Sequence, residues 1–503
     1  MIIQCDLKIT LRGEVQEAVC HEQKMADYAN NPLIEALPPV RSPEEVKELL
    51  ENKIRYSEKD RFLEHQYKAH AIQGLSHFVK PLSRHFYLEG AISRVIRDSY
   101  KSRNILKPEF VQMLNKKRIL EDVDPDCTDY QYRQTGRSFS LIGTSGVGKS
   151  TAIERILLTY PQVIKHSYYE GEPLPYNQLV WLKLNCPHDG NLKGLCLSFF
   201  NAVDAILKTD YYKAYCKSKA GIDSLIESMA RVAALHSLGI LVVDEIQNLN
   251  VAKSGGAIKM LNYFTQLIES IGLPVLLIGT PEAAKILQQK FRQQRRMLGQ
   301  GNFTWNPLAK GEEWDKFVEA LMKYQWTEEI VPYSEEISQT LHDRSMGILD
   351  VAVKMYQLAQ WRVNKRNNKN KECLLSSAVI NEVADDCYKE FEKIRKAMKK
   401  NDLVELSKHG DIIDAYRMIF EKEGLTTAEE PIAEEDTSTR QVPVSQEKQV
   451  HKLAEVLLIS ETDTDIAYSV ARSIVQEHKG EEFSKMAQFA LDAAQKIKDK
   501  STS

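Results

Sequence analysis

The stretch Ser138-Phe-Ser-Leu-Ile-Gly143-Thr-Ser-Gly-Val-Gly148-Lys149-Ser150-Thr151 decides how this chain is interpreted. Its first part is an apolar, β-rich run, and its second part fits the pattern G-x-x-x-x-G-K-[ST]. Residues 151–160 (TAIERILLTY) then have the composition of a helix. A loop between such a strand and helix binds phosphate, because its N–H groups and the helix N-terminus point at one anion. We therefore expect a phosphate-binding loop, made of Gly143, Thr144, Ser145, Gly146, Val147, Gly148, Lys149, Ser150 and Thr151.

A second apolar run, residues 239–243, ends in two carboxylates, Asp244 and Glu245. The carboxyl ends of parallel strands meet at one edge of a sheet, so these carboxylates should lie near the phosphate loop. Lys149 would then neutralise phosphate oxygens, and Ser150 and Asp244 would hold Mg²⁺. Glu245, one residue further on, would orient a water molecule for attack on a γ-phosphate.

A third apolar run, residues 274–278, is followed by Thr280. A hydroxyl at this position would lie beside the γ-phosphate, where it would sense that group or help to place the water. The alternative is a threonine that merely ends a strand before the turn at Pro281.

The pattern along the chain predicts the α/β class, with a parallel sheet flanked by helices and followed by an all-α region. Five short runs are predicted as strands, and amphipathic helices lie between them: residues 138–142, 179–184, 239–243, 274–278 and 302–305. Composition divides the chain into a helical N-terminal extension (1–135), an α/β core (136–310), a helical lid (311–423), an acidic linker (424–449) and a C-terminal helical module (450–503).

Composition excludes several classes of protein. The 503 residues carry a net charge of −3, so a polyanion would have to bind a local basic surface. The apolar runs are too short to span a bilayer, and the first residues do not resemble a secretory signal. The eight cysteines form no C-x-x-C pair, which argues against a zinc finger or a disulfide scaffold. We therefore expect a cytoplasmic protein.

Residues 283–311 contain no acidic residue and include the pair Arg295 and Arg296. An arginine at a helix end can reach the γ-phosphate of a neighbouring subunit, and Arg296 is slightly preferred for this role. The alternatives are a solvated basic face and a nucleic-acid patch. Lys193, Lys253 and Lys259 belong to segments that follow the second and third predicted strands. They are candidates for contacts to DNA phosphates, although ordinary surface loops also carry lysines.

The ordered set GTSGVGKST, LVVDEIQNL and VLLIGTP, followed by the arginine pair and a helical lid, resembles AAA+ ATPases. Residues 31–39 (NPLIEALPP), 242–249 (VVDEIQNL) and 347–354 (GILDVAVK) resemble, more narrowly, the TnsC/TniB-type regulators of bacterial transposons. The resemblance assigns the family's phosphate-binding lysine to Lys149 and its sensor position to Thr280. In one respect the chain departs from the pattern: Asp350 stands where many AAA+ lids carry an arginine, and Lys354 is the candidate substitute.

The resemblance implies a bacterial regulator of DNA transposition that uses ATP and Mg²⁺. Such a protein would form a ring or filament on double-stranded DNA and couple a TnsD/TniQ-like target selector to a TnsA/TnsB-like transposase. ATP hydrolysis would end the assembly. The selector would meet residues 1–60, and the transposase would meet the C-terminal helices. Two alternatives stay open, a helicase-loader AAA+ ATPase and a signalling scaffold that binds ATP without hydrolysing it. The long terminal extensions argue against the first, and Glu245 argues against the second.

Overall fold

A computed structural model describes residues 11–115, 120, 138–216, 221–251, 256–283, 302–365, 374–389, 392–393, 395 and 470. The chain divides into two units, Met1–Thr426 and Thr427–Ser503, and Val470 is the one described residue of the second. The predicted linker and the rest of the C-terminal module lie outside the described residues. Within the described residues, no helix has the length and apolar composition that a membrane span requires.

The strands and helices of the first unit follow in chain order. The strands are β1 Val15–Glu17, β2 Phe139–Gly143, β3 Val163–Tyr169, β4 Glu172–Leu179, β5 Trp181–Asn185, β6 Ile240–Asp244, β7 Val275–Gly279 and β8 Asn302–Trp305. The first ten helices are α1 Pro32–Glu35, α2 Pro43–Leu50, α3 His65–Gln73, α4 Ser83–Lys101, α5 Pro108–Leu114, α6 Lys149–Leu158, α7 Leu192–Leu207, α8 Tyr211–Tyr215, α9 Ile222–Leu235 and α10 Gly256–Ile271. The lid helices are α11 Glu312–Met322, α12 Glu335–Ser345, α13 Leu349–Lys365 and α14 Ser377–Cys387. Short 3-10 segments span Ala26–Tyr28, Glu58–Phe62, Gly74–His77 and Ile246–Val251.

The central sheet has the strand order β5-β6-β7-β2-β8, and every neighbouring pair is parallel. The predicted parallel sheet flanked by helices is confirmed, and its strands lie within two residues of their predicted bounds. All residues of β2, β6 and β7 are buried, as a parallel sheet covered on both faces requires.

Side chains that alternate along β6 show which helices cover each face. Leu241 and Val243 belong to a hydrophobic cluster with residues of α7, α9 and α10. Ile240 and Val242 belong to a second cluster with residues of α1, α2, α4 and α6. The N-terminal region therefore supplies much of one layer of the sheet domain.

A second sheet contains β1, β3 and β4, with β3 antiparallel to β4 and parallel to β1. Apart from the run 138–142, no strand was predicted before residue 179, and that expectation was wrong. The β3–β4 hairpin was not predicted because β4 is largely exposed and carries Pro173 and Pro175. Strand β4 therefore has no continuous apolar run. The predicted strand 179–184 in fact combined the last residue of β4 with β5.

The lid helices α11–α14 pack around a third hydrophobic cluster, which contains Trp314, Trp326 and Tyr356. Ile72, Leu75 and Leu82 of the N-terminal region are buried in the same cluster. Gly347 is hydrogen-bonded to the segment after β8, since Leu308 N–H donates to its carbonyl at 2.8 Å. The N-terminal region thus packs against both the sheet and the lid.

Candidate nucleotide-binding site

The loop between β2 and α6 has the backbone that a phosphate cradle needs. Gly146 and Gly148 have φ angles of +82° and +90°, which side chains larger than glycine's rarely tolerate. A Cβ on Gly148 would meet nothing within 4 Å among the described residues, so open space lies beside this turn. Gly148 is also the N-cap of α6, whose first N–H groups and dipole therefore point towards that space.

Lys149 is buried at the first position of α6. Its Nζ donates to two carbonyls at the start of the same loop, Gly143 O at 2.6 Å and Thr144 O at 2.9 Å. These contacts place the ammonium at the floor of the loop, where a phosphate bound by the loop would meet it. Ser150 and Thr151 follow at the open side of the helix, half-buried and exposed respectively.

Asp244 ends β6 next to Asn185, its partner in the register with β5. The carboxylate is buried, and each of its oxygens has a donor. Glu245 N–H donates to Oδ1 at 2.9 Å, and Lys183 Nζ lies 3.0 Å from Oδ2. The position of this carboxylate is therefore held from two sides.

Glu245 is exposed and has a φ of +59°, an uncommon backbone conformation for a residue other than glycine. Gln247 Nε2 donates to Glu245 Oε2, and Gln247 Oε1 accepts from Thr280 N–H at 3.3 Å. The hydroxyl of Thr280 is buried and has no hydrogen-bond partner within the described part of the chain. An unpaired hydroxyl of this kind, beside an open cleft, is suited to a polar group of a ligand.

These elements enclose one cleft of about 340 Å³. Its walls come from the loop, the first turn of α6, the ends of β6 and β7, and the lid residue Asp350. The lining residues are Ser145, Gly146, Gly148, Lys149, Ser150, Thr151, Asp244, Glu245, Gln247, Gly279, Thr280 and Asp350. The structure thus brings together Lys149, Ser150, Asp244, Glu245 and Thr280, which the sequence analysis singled out separately.

A smaller cavity of about 140 Å³ adjoins the cleft and shares Gly146, Gly148, Thr151 and Asp350 with it. Its other walls are mainly apolar and come from the N-terminal region and the lid, among them Phe78, Phe317 and Val353. No local motif marks residues 76–85 as neighbours of the loop, so the sequence alone did not predict this cavity.

His85 lines the smaller cavity as a neutral imidazole. Burial lowers its pKa to about 3, and the charge of Arg84 acts in the same direction. Its Nδ1 accepts a hydrogen bond from Leu82 N–H at 3.0 Å, so the ring proton lies on Nε2. A cavity with apolar walls and an uncharged ring is suited to a flat, weakly polar group such as a nucleobase.

The lid contacts the loop through Asp350, whose N–H donates to Gly146 O at 3.2 Å. Lys354 Nζ lies 2.6 Å from Asp350 Oδ2, and both side chains are about half exposed. Lys354, the candidate substitute for the missing lid arginine, therefore pairs with Asp350 and lines the smaller cavity.

Arg84 also supports the loop, although no sequence motif marked it. This residue lies in the first turn of the long helix α4. Its Nη2 donates to Val147 O at 2.9 Å, and its Nη1 donates to Asn306 O at 3.1 Å. The guanidinium carbon lies 4.5 Å from the centre of the Trp305 ring. Burial lowers the pKa of Arg84 to about 10, so the side chain stays charged at neutral pH.

The remaining predicted residues lie away from the cleft lining or outside the described residues. Lys193 is half-buried in the first turn of α7, and Lys259 is exposed on α10. Arg295, Arg296 and Lys253 lie outside the described residues. Thr144 is fully buried, and its hydroxyl has no partner in the described part of the chain.

Comparison with known proteins places this cleft in a recognised class of domain. Residues 132–287 match the family described as AAA domain, and the matched stretch contains the loop, Asp244, Glu245 and Thr280. The chain therefore contains an AAA domain. No curated protein matches the chain by sequence.

Several solved structures are similar to the chain at low sequence identity. The ORC1 protein of Aeropyrum pernix, solved in complex with DNA, is 13% identical, with 71% of this chain and 78% of that chain covered at a TM-score of 0.34. A Walker-type ATPase of Pyrococcus abyssi is 15% identical, with 54% and 71% covered at a TM-score of 0.32. CDC6P of Pyrobaculum aerophilum is 13% identical, with 73% and 82% covered at a TM-score of 0.32.

Proposed function

We propose that the protein binds ATP with Mg²⁺ in the cleft and hydrolyses it. The observation that carries this proposal is the meeting of Lys149, Ser150, Asp244, Glu245 and Thr280 around one cleft in an AAA domain. The phosphates would lie against the loop and α6, and the base would enter the adjoining apolar cavity. The polar loop would then contact the phosphates and the apolar cavity would contact the base, along one continuous surface.

The donor set at the cleft fits Mg²⁺. Ser150 offers a hydroxyl and Asp244 a carboxylate, and Mg²⁺ prefers such oxygen ligands together with phosphate oxygens and water. When bound, the ion would offset the negative charge of the phosphates. Lys149 would neutralise further phosphate charge, and the buried hydroxyl of Thr280 would donate to the γ-phosphate or to the attacking water.

Glu245 supports turnover rather than binding alone. Its carboxylate is exposed to the cleft and can accept a proton from a water molecule held between it and the γ-phosphate. The contact with Gln247 limits where that carboxylate can point. A scaffold that only binds ATP would have no need of a carboxylate held in this way.

Two substitutions test the ATPase proposal in the purified full-length chain. We expect Lys149→Ala to abolish binding of ATP, because the phosphate loop loses its buried cation. We expect Glu245→Gln to bind ATP as the wild type does but to hydrolyse it at least about 100-fold more slowly, the usual minimum contribution of a general base. Binding is measured by equilibrium dialysis and turnover by phosphate release. A Glu245→Gln variant that hydrolyses ATP at the wild-type rate would contradict the assigned role of Glu245.

We propose further that the ATP-bound protein assembles on double-stranded DNA and regulates transposition. The support is the sequence resemblance to TnsC/TniB-type regulators over residues 28–400, together with the AAA domain. In this proposal Arg295 or Arg296 of one subunit completes the site of the next, and Lys193, Lys253 and Lys259 contact DNA phosphates. A TnsD/TniQ-like selector would bind the N-terminal region, and a TnsA/TnsB-like transposase would bind the C-terminal helices.

A DNA-retention experiment tests this second step. Wild type and Glu245→Gln are loaded with ATP on a double-stranded DNA fragment, and release is followed by fluorescence anisotropy after unlabelled DNA is added. Because hydrolysis would end the assembly, we expect Glu245→Gln to stay on DNA at least about ten-fold longer. Equal release rates would contradict the hydrolysis timer. Assembly independent of ATP would favour the scaffold, and binding to a replicative helicase rather than to a transposase would favour the loader.

A further inference from the structure

Lys183 lies on β5, beside the cleft but not in its lining. Its Nζ is 2.9 Å from Glu154 Oε1 on α6 and 3.0 Å from Asp244 Oδ2 at the end of β6. The side chains of Lys183 and Asp244 are 4% and 6% exposed, whereas that of Glu154 is 35% exposed. A buried ammonium therefore joins the carboxylate at the end of β6 to the helix that follows the phosphate loop.

The orientation of Asp244 does not depend on Lys183 alone. Asp244 Oδ1 accepts the N–H of Glu245 at 2.9 Å, and this contact would survive the loss of the lysine. Lys183 additionally supplies a positive charge, because its ammonium lies against Asp244 Oδ2, the oxygen to which the Glu245 N–H does not donate. The electrostatic contribution of Lys183 can therefore be separated from its structural one.

A divalent cation that approaches Asp244 is repelled by an ammonium a few ångströms away, and burial strengthens this repulsion because little water screens it. Glu154 acts in the opposite direction, since it draws the same ammonium towards α6 and offsets part of its charge. Lys183 and Glu154 should therefore have opposite effects on the affinity of Asp244 for a cation.

We propose that Lys183 is a positioning residue that neutralises Asp244 while no metal is bound and thereby sets the Mg²⁺ concentration that the nucleotide site requires. The inference rests on the proposed function, because it takes Asp244 as a ligand of the nucleotide-associated ion. Glu154 takes part in this arrangement because it also forms an ion pair with Lys183. In the absence of nucleotide, Asp244 stays in an ion pair with Lys183. Mg²⁺ must therefore compete with the Lys183 ammonium for the carboxylate of Asp244.

Substitutions on the two sides of the lysine test the proposal in the full-length protein. A fluorescent, non-hydrolysable ATP analogue is held at constant concentration while Mg²⁺ is titrated, and the Mg²⁺ concentration at half-maximal binding is recorded. We expect Lys183→Met to lower this concentration about ten-fold, because it removes the charge that competes with Mg²⁺. We expect Glu154→Gln to raise it about three-fold, because the ammonium of Lys183 then pairs with Asp244 alone. Lys101→Met removes a lysine at 3.1 Å from Asp27, outside the cleft lining, and should change nothing.

The opposite directions of the two shifts distinguish this role from a structural one. If Lys183 only supported the fold, both variants would lower the unfolding midpoint in urea and leave the Mg²⁺ midpoint unchanged, or move it the same way. Either result overturns the proposal. If Lys183→Met does not fold, the Glu154→Gln variant tests the proposal by itself, because the side chain of Glu154 is partly exposed and its replacement should be tolerated. A Mg²⁺ midpoint that does not rise in this variant overturns the proposal. A wild-type protein that fails to bind the analogue at any Mg²⁺ concentration would instead refute the proposed function.

Discussion

Gln247 connects the two strand ends that carry Glu245 and Thr280. One end of its amide donates to the carboxylate of Glu245, and the other end accepts the N–H of Thr280 at 3.3 Å. Glu245 occupies a left-handed backbone conformation, so neither its main chain nor its exposed side chain follows from strand geometry. The direction of the carboxylate proposed to orient water therefore depends on a neighbouring side chain.

Replacing Gln247 by Met tests that dependence at the scale of one residue. Met is similar in length but cannot hydrogen-bond to both neighbours, so Glu245 should sample more orientations. We expect kcat for ATP hydrolysis to fall about ten-fold while KM changes less than about two-fold, because the contact acts on the attacking water rather than on ATP binding. Phosphate release at varied ATP concentrations gives both constants.

Asn248 provides the matched control in the same turn. Its side chain donates to Cys186 O at 3.0 Å, and it is absent from the lining of the cleft. Asn248→Leu should lower stability without the selective loss of kcat. If both variants lose kcat equally, the effect belongs to the turn as a whole and not to the contact between Gln247 and Glu245.

At the scale of elements, α4 joins three parts of the molecule. Leu82, directly before the helix, is buried with the lid cluster. Arg84 in its first turn donates to Val147 of the phosphate loop, and Leu88, Ile92 and Val95 are buried against the layer that contains α6. A change at the beginning of this helix should therefore affect the lid, the loop and the sheet together.

We predict that Arg84→Met weakens both stability and nucleotide binding. The substitution removes two charged hydrogen bonds to main-chain carbonyls, so the free energy of unfolding should fall by about 2 kcal/mol. The loop loses its contact at Val147, and the affinity for ATP should fall about ten-fold if the contact contributes about 1.4 kcal/mol to the bound conformation. Urea unfolding and equilibrium dialysis measure the two effects.

The control for Arg84 lies on the same helix. Arg94 is exposed, and Arg94→Met should change the unfolding free energy by no more than about 0.5 kcal/mol. An Arg84→Met protein with wild-type ATP affinity would show that α4 does not support the phosphate loop.

At the scale of the whole molecule, the AAA domain is incomplete without the N-terminal region. The matched residues 132–287 contain four of the five strands of the central sheet. They lack the helices α1, α2 and α4, which cover one face of that sheet. The apolar cavity beside the cleft likewise depends on residues 76–85 and on the lid. Segments distant in sequence therefore complete both the core and the candidate site.

A fragment limited to residues 132–310 should consequently fail to fold cooperatively. Removal of α4 alone uncovers the surface against which Leu88, Ile92, Val95, Ile96 and Tyr100 pack, all of them at most 1% exposed. Burial of five such side chains contributes about 10 kcal/mol. That is comparable with the entire stability of an ordinary domain, about 5–15 kcal/mol.

Thermal unfolding followed by circular dichroism compares this fragment with residues 1–426, the whole first unit. We expect a single cooperative transition for the longer chain and a broad, non-cooperative loss of signal for the fragment. A sharp transition in the fragment would mean that the N-terminal layer is dispensable for folding.

Local pattern predicted the strands of the central sheet because each is a short apolar run that the chain must bury. It did not predict the β3–β4 hairpin, because β4 is largely exposed, carries two prolines and has no continuous apolar run. Lys183 carried no signal either, since a lysine inside an apolar run gives no indication of which carboxylates will face it. The same holds for Arg84, whose acceptors lie 63 and 222 residues away in sequence.

By itself, the sequence determined the α/β class, the strand–loop–helix around Lys149 and the strand that ends at Asp244, because these depend on interactions between residues close together in the chain. Only the tertiary structure decided that the N-terminal region covers one face of the sheet, that an apolar cavity adjoins the cleft, and that Lys183 pairs with Asp244. Those features depend on contacts between segments brought together by burial of apolar surface, and no spacing along the chain encodes them.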